Sequence, residues 1–130
     1  MSALTVLGIL LAHVAGDYIF QTEWMAQTKT SRRVAAVAHA LAYTVCYLPV
    51  TQSPAALLII GGTHAVLDRY RVAKYVVWLK NQVGPERYRP EDTSNAGYPS
   101  TTAPFMAVWL MIIVDNWLHL MINTGAILWT

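Results

Sequence analysis

The sequence predicts an all-α protein, an integral-membrane four-helix bundle with both termini outside the cytoplasm (N-out/C-out). Of its 130 residues, 55% are hydrophobic and 12% are charged, about half the charge of an ordinary soluble domain. The mean hydropathy is +0.38, and four long apolar segments follow one another along the chain. These observations predict a single domain, residues 1–130, whose surroundings are lipid rather than water.

The predicted spans each approach or exceed the ~20 residues that cross the hydrocarbon core of a bilayer. Proline stands only at their ends, where it is tolerated: Pro49 ends the second span, Pro54 starts the third and Pro104 starts the fourth. The four spans are expected at about residues 3–20, 34–51, 54–78 and 104–128.

The charged side chains set the expected orientation. Basic residues are concentrated in and around the loops 21–33 and 79–103, whereas the hairpin 49–54 carries no charged side chain. The positive-inside rule therefore places both charged loops in the cytoplasm. We expect the protein to be integral to the cytoplasmic membrane.

Each predicted span carries polar groups at helical spacing, and all four histidines lie in spans. Groups four residues apart lie on one helix face, so each helix is expected to present a polar stripe. The stripes contain His13 and Asp17 in the first span, His39 and Tyr43 in the second, His64 and Asp68 in the third, and Asp115 and His119 in the fourth.

Depth in the membrane brings five of these groups to one level. With a rise of about 1.5 Å per residue, groups on the first three helices share a layer in the cytoplasmic half. Buried carboxylates are costly in lipid, which marks them as functional candidates. The predicted metal ligands are His13, Asp17, His39, His64 and Asp68. This set of nitrogen and oxygen donors favours zinc, with manganese or iron as alternatives.

The polar residues outside the predicted ligand set are expected to support the site or to contact the membrane surface. Asp115 and His119 are expected deeper, near the midplane, in roles around the site rather than as ligands. Gln21 is expected to be a helix-end amide, and Tyr43 follows His39 on its face. The basic residues Arg69, Arg71 and Lys74 are expected at the cytoplasmic surface, where they set topology and contact lipid headgroups.

Two segments also carry a family resemblance. "HVAGDYIFQTEWMAQTK" (13–29) and "HAVLDRYRVAKY" (64–75), with His39 between them, resemble the bacterial and phage membrane family catalogued as domain of unknown function number 3307. The resemblance covers roughly residues 5–80 and includes Gln21 in its pattern. It implies no activity. More distantly, the layout is similar to small membrane-bound metal-dependent hydrolases.

The sequence is compatible with several functions. The first is a metal-dependent hydrolase acting on a substrate reached from the cytoplasmic leaflet, with Asp17 as a ligand or as the general base. The alternative is a non-catalytic membrane protein whose metal or polar core is structural and which binds a membrane or cytoplasmic partner. A cation or proton pathway is a weaker third. The expected partners are membrane lipid and, in addition, further copies of the chain or a larger membrane assembly. Nucleic acid is not expected as a partner, because the sequence has no basic surface of the kind that binds it.

Overall fold

The computed structural model describes residues 1–130 and contains helices but no strands, which confirms the all-α prediction. A π-helical turn, Ala15–Ile19, continues the first helix, and a short 3-10 turn spans Glu86–Tyr88. The six α-helices are α1 (Ala3–Val14), α2 (Glu23–Thr28), α3 (Arg33–Cys46), α4 (Pro54–Tyr70), α5 (Val72–Asn81) and α6 (Pro104–Trp129). By length and composition, α6 with its 26 residues is the one helix able to cross a membrane alone.

The helix boundaries differ from the predictions in three places. The second predicted span, 34–51, ends early, since α3 stops at Cys46. The segment 54–78 is divided between α4 and α5, because Arg71 adopts a left-handed conformation with φ 50°. A side chain in that conformation interrupts the helical hydrogen bonds and is unfavourable by roughly 1–2 kcal/mol. In addition, the loop 21–33 contains α2, which begins after Thr22, whose hydroxyl accepts a hydrogen bond from the Met25 amide at 3.3 Å.

The chain forms two compact units, of which the first comprises Met1–Tyr70 and His119–Thr130. At one end of this unit, Ser53 donates a hydrogen bond to the Thr130 carbonyl at 3.4 Å. At the other end, Arg69 donates to the Thr30 carbonyl. The apolar core of the unit consists of Ile9, Ala12, Tyr43, Tyr47, Ala56, Ile60 and Ala126.

Beside its apolar core, the first unit buries a group of polar side chains and exposes many large apolar ones. His39 and His64 are fully buried. Large aliphatic side chains instead cover the outer faces of α1, α3 and α4: Leu4 is 80% exposed, Val34 73% and Leu58 77%. Buried imidazoles and carboxylates together with so many exposed aliphatic side chains are unusual in water-soluble domains.

The second unit, Arg71–Leu118, has its own small core of Ala73, Val77, Ala96, Ala107 and Met111. The loop after α5 folds back onto that helix through Gly97, which has φ 84° and whose carbonyl accepts a hydrogen bond from Asn81 at 2.9 Å. A Cβ atom at Gly97 would collide with the Lys74 carbonyl oxygen and lie 2.6 Å from the Trp78 amide nitrogen. Glycine is therefore required at this position.

Replacing Gly97 by alanine is expected to lower the melting temperature of the purified protein. The added methyl group meets backbone atoms that cannot move aside, and the positive φ disfavours it further, for a cost of about 2 kcal/mol. Thermal unfolding followed by circular dichroism measures the effect. Gly62→Ala is the matched control, because a Cβ there has no heavy atom within 4 Å and alanine favours a helix. Equal melting temperatures for the two variants would contradict the close packing at Gly97.

Candidate metal centre

Polar side chains from five helical segments of the first unit converge on one buried point. Each helix contributes the residues that face the interior at intervals of four, as the sequence spacing predicts. All are nearly inaccessible to solvent: none is more than 9% exposed. The cluster contains His13 from α1, Asp17 from the π-helical turn, His39 from α3, His64 and Asp68 from α4, and His119 from α6.

Four of these residues place one donor atom each around a common centre. The donor atoms of Asp17, His39, His64 and Asp68 all lie within 4.8 Å of one another. His39 Nε2 lies 2.9 Å from His64 Nε2, 3.3 Å from Asp17 Oδ1 and 3.1 Å from Asp68 Oδ2. His64 Nε2 lies 3.3 Å from the same oxygen of Asp17 and 3.4 Å from that of Asp68.

These separations match those of a tetrahedral metal site. With bonds of about 2.0–2.1 Å to a central zinc, neighbouring ligand atoms lie about 3.3 Å apart. Five of the six distances among the four donor atoms fall between 2.9 and 3.4 Å. Two imidazole nitrogens and two carboxylate oxygens are also donors that zinc, manganese and iron accept.

Asp17 supplies a second indication that a cation belongs here. Its Oδ1 is buried and has no hydrogen bond of acceptable geometry, although two imidazole nitrogens lie nearby; His39 Nδ1 is also without a partner. A buried carboxylate oxygen left without a hydrogen bond is costly. Asp17 stands in the π-helical turn, a local widening of the helix that is frequent at functional sites. The turn brings Gly16 against the ring of Tyr43, where a Cβ would collide.

Each carboxylate presents its second oxygen to another histidine. Asp17 Oδ2 lies 3.4 Å from His13 Nδ1, and Asp68 Oδ1 lies 3.1 Å from His119 Nε2. Such contacts hold a ligating carboxylate in orientation. His13, which the sequence predicts as a metal ligand, contacts the carboxylate of Asp17 and is not one of the four donors around the centre. The expectation that His119 lies deeper than the site is not met: its Nδ1 is 3.3 Å from His64 Nδ1.

Two tyrosines and an asparagine line the apolar side of the cluster. The ring of Tyr43 stacks on His64, with centroids 3.6 Å apart and planes at 10°, and its hydroxyl lies 2.7 Å from His13 Nδ1. Asn123 donates to the hydroxyls of both Tyr43 and Tyr47 at 2.7 Å. This network fixes the imidazole rings, since each ring has either a stacked or a hydrogen-bonded neighbour.

Lys29 is the residue of the centre that sequence reasoning missed. Its ammonium group lies 2.5 Å from Asp68 Oδ2 and 3.4 Å from His39 Nε2. Gln21 holds it there: Gln21 Oε1 accepts from Lys29 at 2.6 Å, while Gln21 Nε2 donates to the Asp17 carbonyl at 3.1 Å. The positive-inside rule accounted for Lys29 as a loop charge. The available signal was its place at the end of the "HVAGDYIFQTEWMAQTK" segment.

The formal charges of the centre do not balance. Two carboxylates contribute −2 and Lys29 contributes +1, which leaves −1 when the histidines are neutral. A net charge buried in an apolar interior is strongly unfavourable. A protonated imidazole would make the centre neutral, and a divalent cation would change its charge from −1 to +1; the donor atoms present are compatible with either.

The remaining predicted residues are not among the four donors of this group. Asp115 is half-buried on α6, one turn before His119 and in the second unit. Arg69 is tied to the Thr30 carbonyl and belongs to the first unit. Arg71 is exposed at the break between α4 and α5, and Lys74 lies over the Tyr75 ring at 4.9 Å.

The fold and the site define an all-α protein with a buried histidine–aspartate cluster able to hold a metal ion. The chain belongs to the family described as "Protein of unknown function (DUF3307)", whose model matches residues 5–126. The family match thus extends beyond the resemblance over residues 5–80 and takes in most of α6, including His119. No curated protein and no solved structure matches the chain.

Proposed function

We propose that this protein is a membrane-embedded metal-binding protein whose Asp17, His39, His64 and Asp68 bind one divalent cation. The observation that carries the proposal is the set of ligand–ligand distances of 2.9–3.4 Å among four buried donor atoms. Zinc is the first candidate because these distances suit tetrahedral coordination. Manganese and iron accept the same nitrogen and oxygen donors.

A metal at this position fits a hydrolase acting from the cytoplasmic leaflet. A bound divalent metal polarises a carbonyl or phosphoryl oxygen and acidifies water. The chain contributes the positioning: His13 and His119 hold the two carboxylates, and Tyr43 stacks on His64. With its Oδ1 3.3 Å from both ligand imidazoles, Asp17 is better placed as a ligand than as a general base.

The non-catalytic alternative rests on the same four donors. Four protein ligands complete a tetrahedral zinc site, and closed sites of that kind are structural, whereas catalysis needs an open coordination position. In this protein one side of the centre is partly accessible, at Lys29, whose side chain is 20% exposed. Since Lys29 stands where a substrate would enter, we favour the catalytic function.

A proton or cation pathway receives less support from the hydrogen-bond network. The chain of polar groups runs from the centre through Tyr43 to Tyr47, whose hydroxyl donates to the Ile9 carbonyl at 3.3 Å. Beside it, Asn123 Oδ1 is buried with no hydrogen-bond partner. A conducting path would continue through further polar groups, and the neighbouring core residues Ile9, Ala12 and Ile60 are apolar.

The membrane location is proposed from the distribution of surface residues. Aliphatic side chains exposed on α1, α3 and α4 would face lipid, while the polar cluster stays inside the bundle. The end of the first unit that carries Lys29 and Arg69 would face the cytoplasm, and the end formed by Ser53 and Thr130 would face outward. The helices Ala3–Ile19 and Arg33–Cys46 are apolar but shorter than a full span.

Metal analysis tests the proposal directly. Protein purified in mild detergent is expected to contain about one divalent metal per chain, and added zinc should raise the melting temperature because metal binds the folded state. Asp17→Asn and His64→Ala each remove a ligand and should lose most of the metal. His119→Ala removes a supporting contact and should weaken binding about 10–100-fold.

The control carboxylate is Asp92, which is exposed and accepts a hydrogen bond from Ser94 in the second unit; Asp92→Asn should retain the metal. All four histidines belong to the cluster, so no control histidine exists. Metal-free protein whose stability is unchanged by zinc or manganese would overturn the metal proposal. The cluster would then be a polar core carrying a protonated imidazole.

Hydrolysis is tested with chromogenic acetate and phosphate esters. Turnover by the zinc-loaded protein is expected to disappear on chelation and to return when zinc is restored, because the metal supplies the polarisation that ester cleavage needs. His64→Ala should be inactive, and Asp92→Asn should match the parent protein. Full zinc occupancy with no turnover of either ester class would favour the non-catalytic alternative.

Topology is tested by cysteine labelling on a Cys46→Ala background. A cysteine at Ser94 is expected to react only from the cytoplasmic side and one at Gln52 only from outside, because charged loops stay inside. Both positions are exposed. The unsubstituted Cys46→Ala protein has no thiol and gives the background signal. The opposite labelling pattern would place the metal centre in the outer half of the membrane.

A further inference from the structure

Lys29 occupies a built position at the accessible edge of the metal centre. Its ammonium contacts a carboxylate oxygen of Asp68 and the amide oxygen of Gln21 at 2.5 and 2.6 Å. The side chain is 20% exposed, whereas those of His39 and His64 are completely buried. A ligand that reaches the centre from solvent therefore meets Lys29 before it meets the histidines.

The charge of the occupied centre calls for an anion. Asp17 and Asp68 contribute −2, a divalent metal +2 and Lys29 +1, so that the metal-loaded centre carries +1. In a poorly hydrated interior this excess is unfavourable, and an anion beside the metal and the ammonium would remove it. With a metal bound, Asp68 would no longer depend on Lys29 for a counter-ion, and the ammonium would be available to an anion.

A phosphate group fits these partners better than a carboxylate does. Lysine binds phosphate as a compact point charge, and phosphate has oxygens enough to contact a metal and an ammonium at once. Arg69 is a second cation at this end of the unit. It donates a hydrogen bond to the carbonyl of Thr30, the residue that follows Lys29. The metal and the Lys29 ammonium beside Asp17 and Asp68 leave one excess positive charge, which a singly charged phosphate or phosphodiester neutralises.

We propose that Lys29, together with the bound metal, binds a phosphate group, either free or on a lipid headgroup. The inference depends on the metal-binding function proposed above and specifies the chemical class of its ligand. Lys29 acts by direct contact with a phosphate oxygen, Gln21 positions the ammonium, and Arg69 adds positive charge at the same end of the unit.

Calorimetric titration of the zinc-loaded protein with inorganic phosphate tests this proposal. The full chain in detergent, desalted to remove free zinc, is expected to bind phosphate. Lys29→Met should weaken binding at least about tenfold, the cost of losing one charge-assisted contact, while zinc content stays unchanged. Lys29→Arg should restore most of the affinity. Lys80→Met is the matched control, because Lys80 lies over the Tyr98 ring at 5.0 Å in the second unit.

The two sources of phosphate are separated by competition. Nanodiscs of phosphatidylcholine containing phosphatidic acid should displace inorganic phosphate if the ligand is a headgroup, and should leave it bound if the ligand is soluble; either result supports the site. Wild-type protein that holds zinc but binds no phosphate, or Lys29→Met protein that binds it as tightly as wild type, would overturn this inference alone. Wild-type protein that holds no zinc would overturn the metal-binding function as well.

Discussion

The first unit depends on one constraint, the burial of two carboxylates close together. The imidazoles of His39 and His64 each contact both of these carboxylates. Asp17 and Asp68 are 9% and 7% exposed, and neither could remain ionised in an apolar interior without strong compensation. Histidines on α1, α3, α4 and α6, together with Lys29, surround them. Each helix must therefore hold one position and one rotation about its axis, because a shift of one residue would turn its polar stripe away from the centre.

Around this centre, the packing of small residues and aromatic rings sets the distances. Gly16 allows the π-helical turn to approach Tyr43, and the flat contact of Tyr43 with His64 orients an imidazole toward both aspartates. Hydrogen bonds from Asn123 fix the tyrosine hydroxyl in turn. Polar groups satisfied in this way specify one arrangement of helices, which non-directional apolar contacts alone could not do.

Much of the centre could be predicted from sequence because its geometry is local. Intervals of four residues place His13 with Asp17, and His64 with Asp68, whatever the rest of the chain does. Lys29 and His119 were not predictable in the same way. Their positions depend on where α2 turns back and on how far α6 reaches, and both are set by tertiary packing. The break at Arg71 was also hidden, since an arginine carries no local signal for a left-handed backbone.

The centre combines negative and positive side chains, and the position of Lys29 gives a reason for this combination. A site made only to hold a divalent cation would be better served by two aspartates without a competing ammonium, because Lys29 binds the same Asp68 oxygen that a metal would use. Like charges repel at such distances, so Lys29 lowers metal affinity. Lys29 thus weakens metal binding, yet Gln21 holds it at the centre. A second ligand, an anion, explains why a lysine is held there. An anion that bridges the metal and the ammonium converts their mutual repulsion into two attractions, and the centre then carries no excess positive charge.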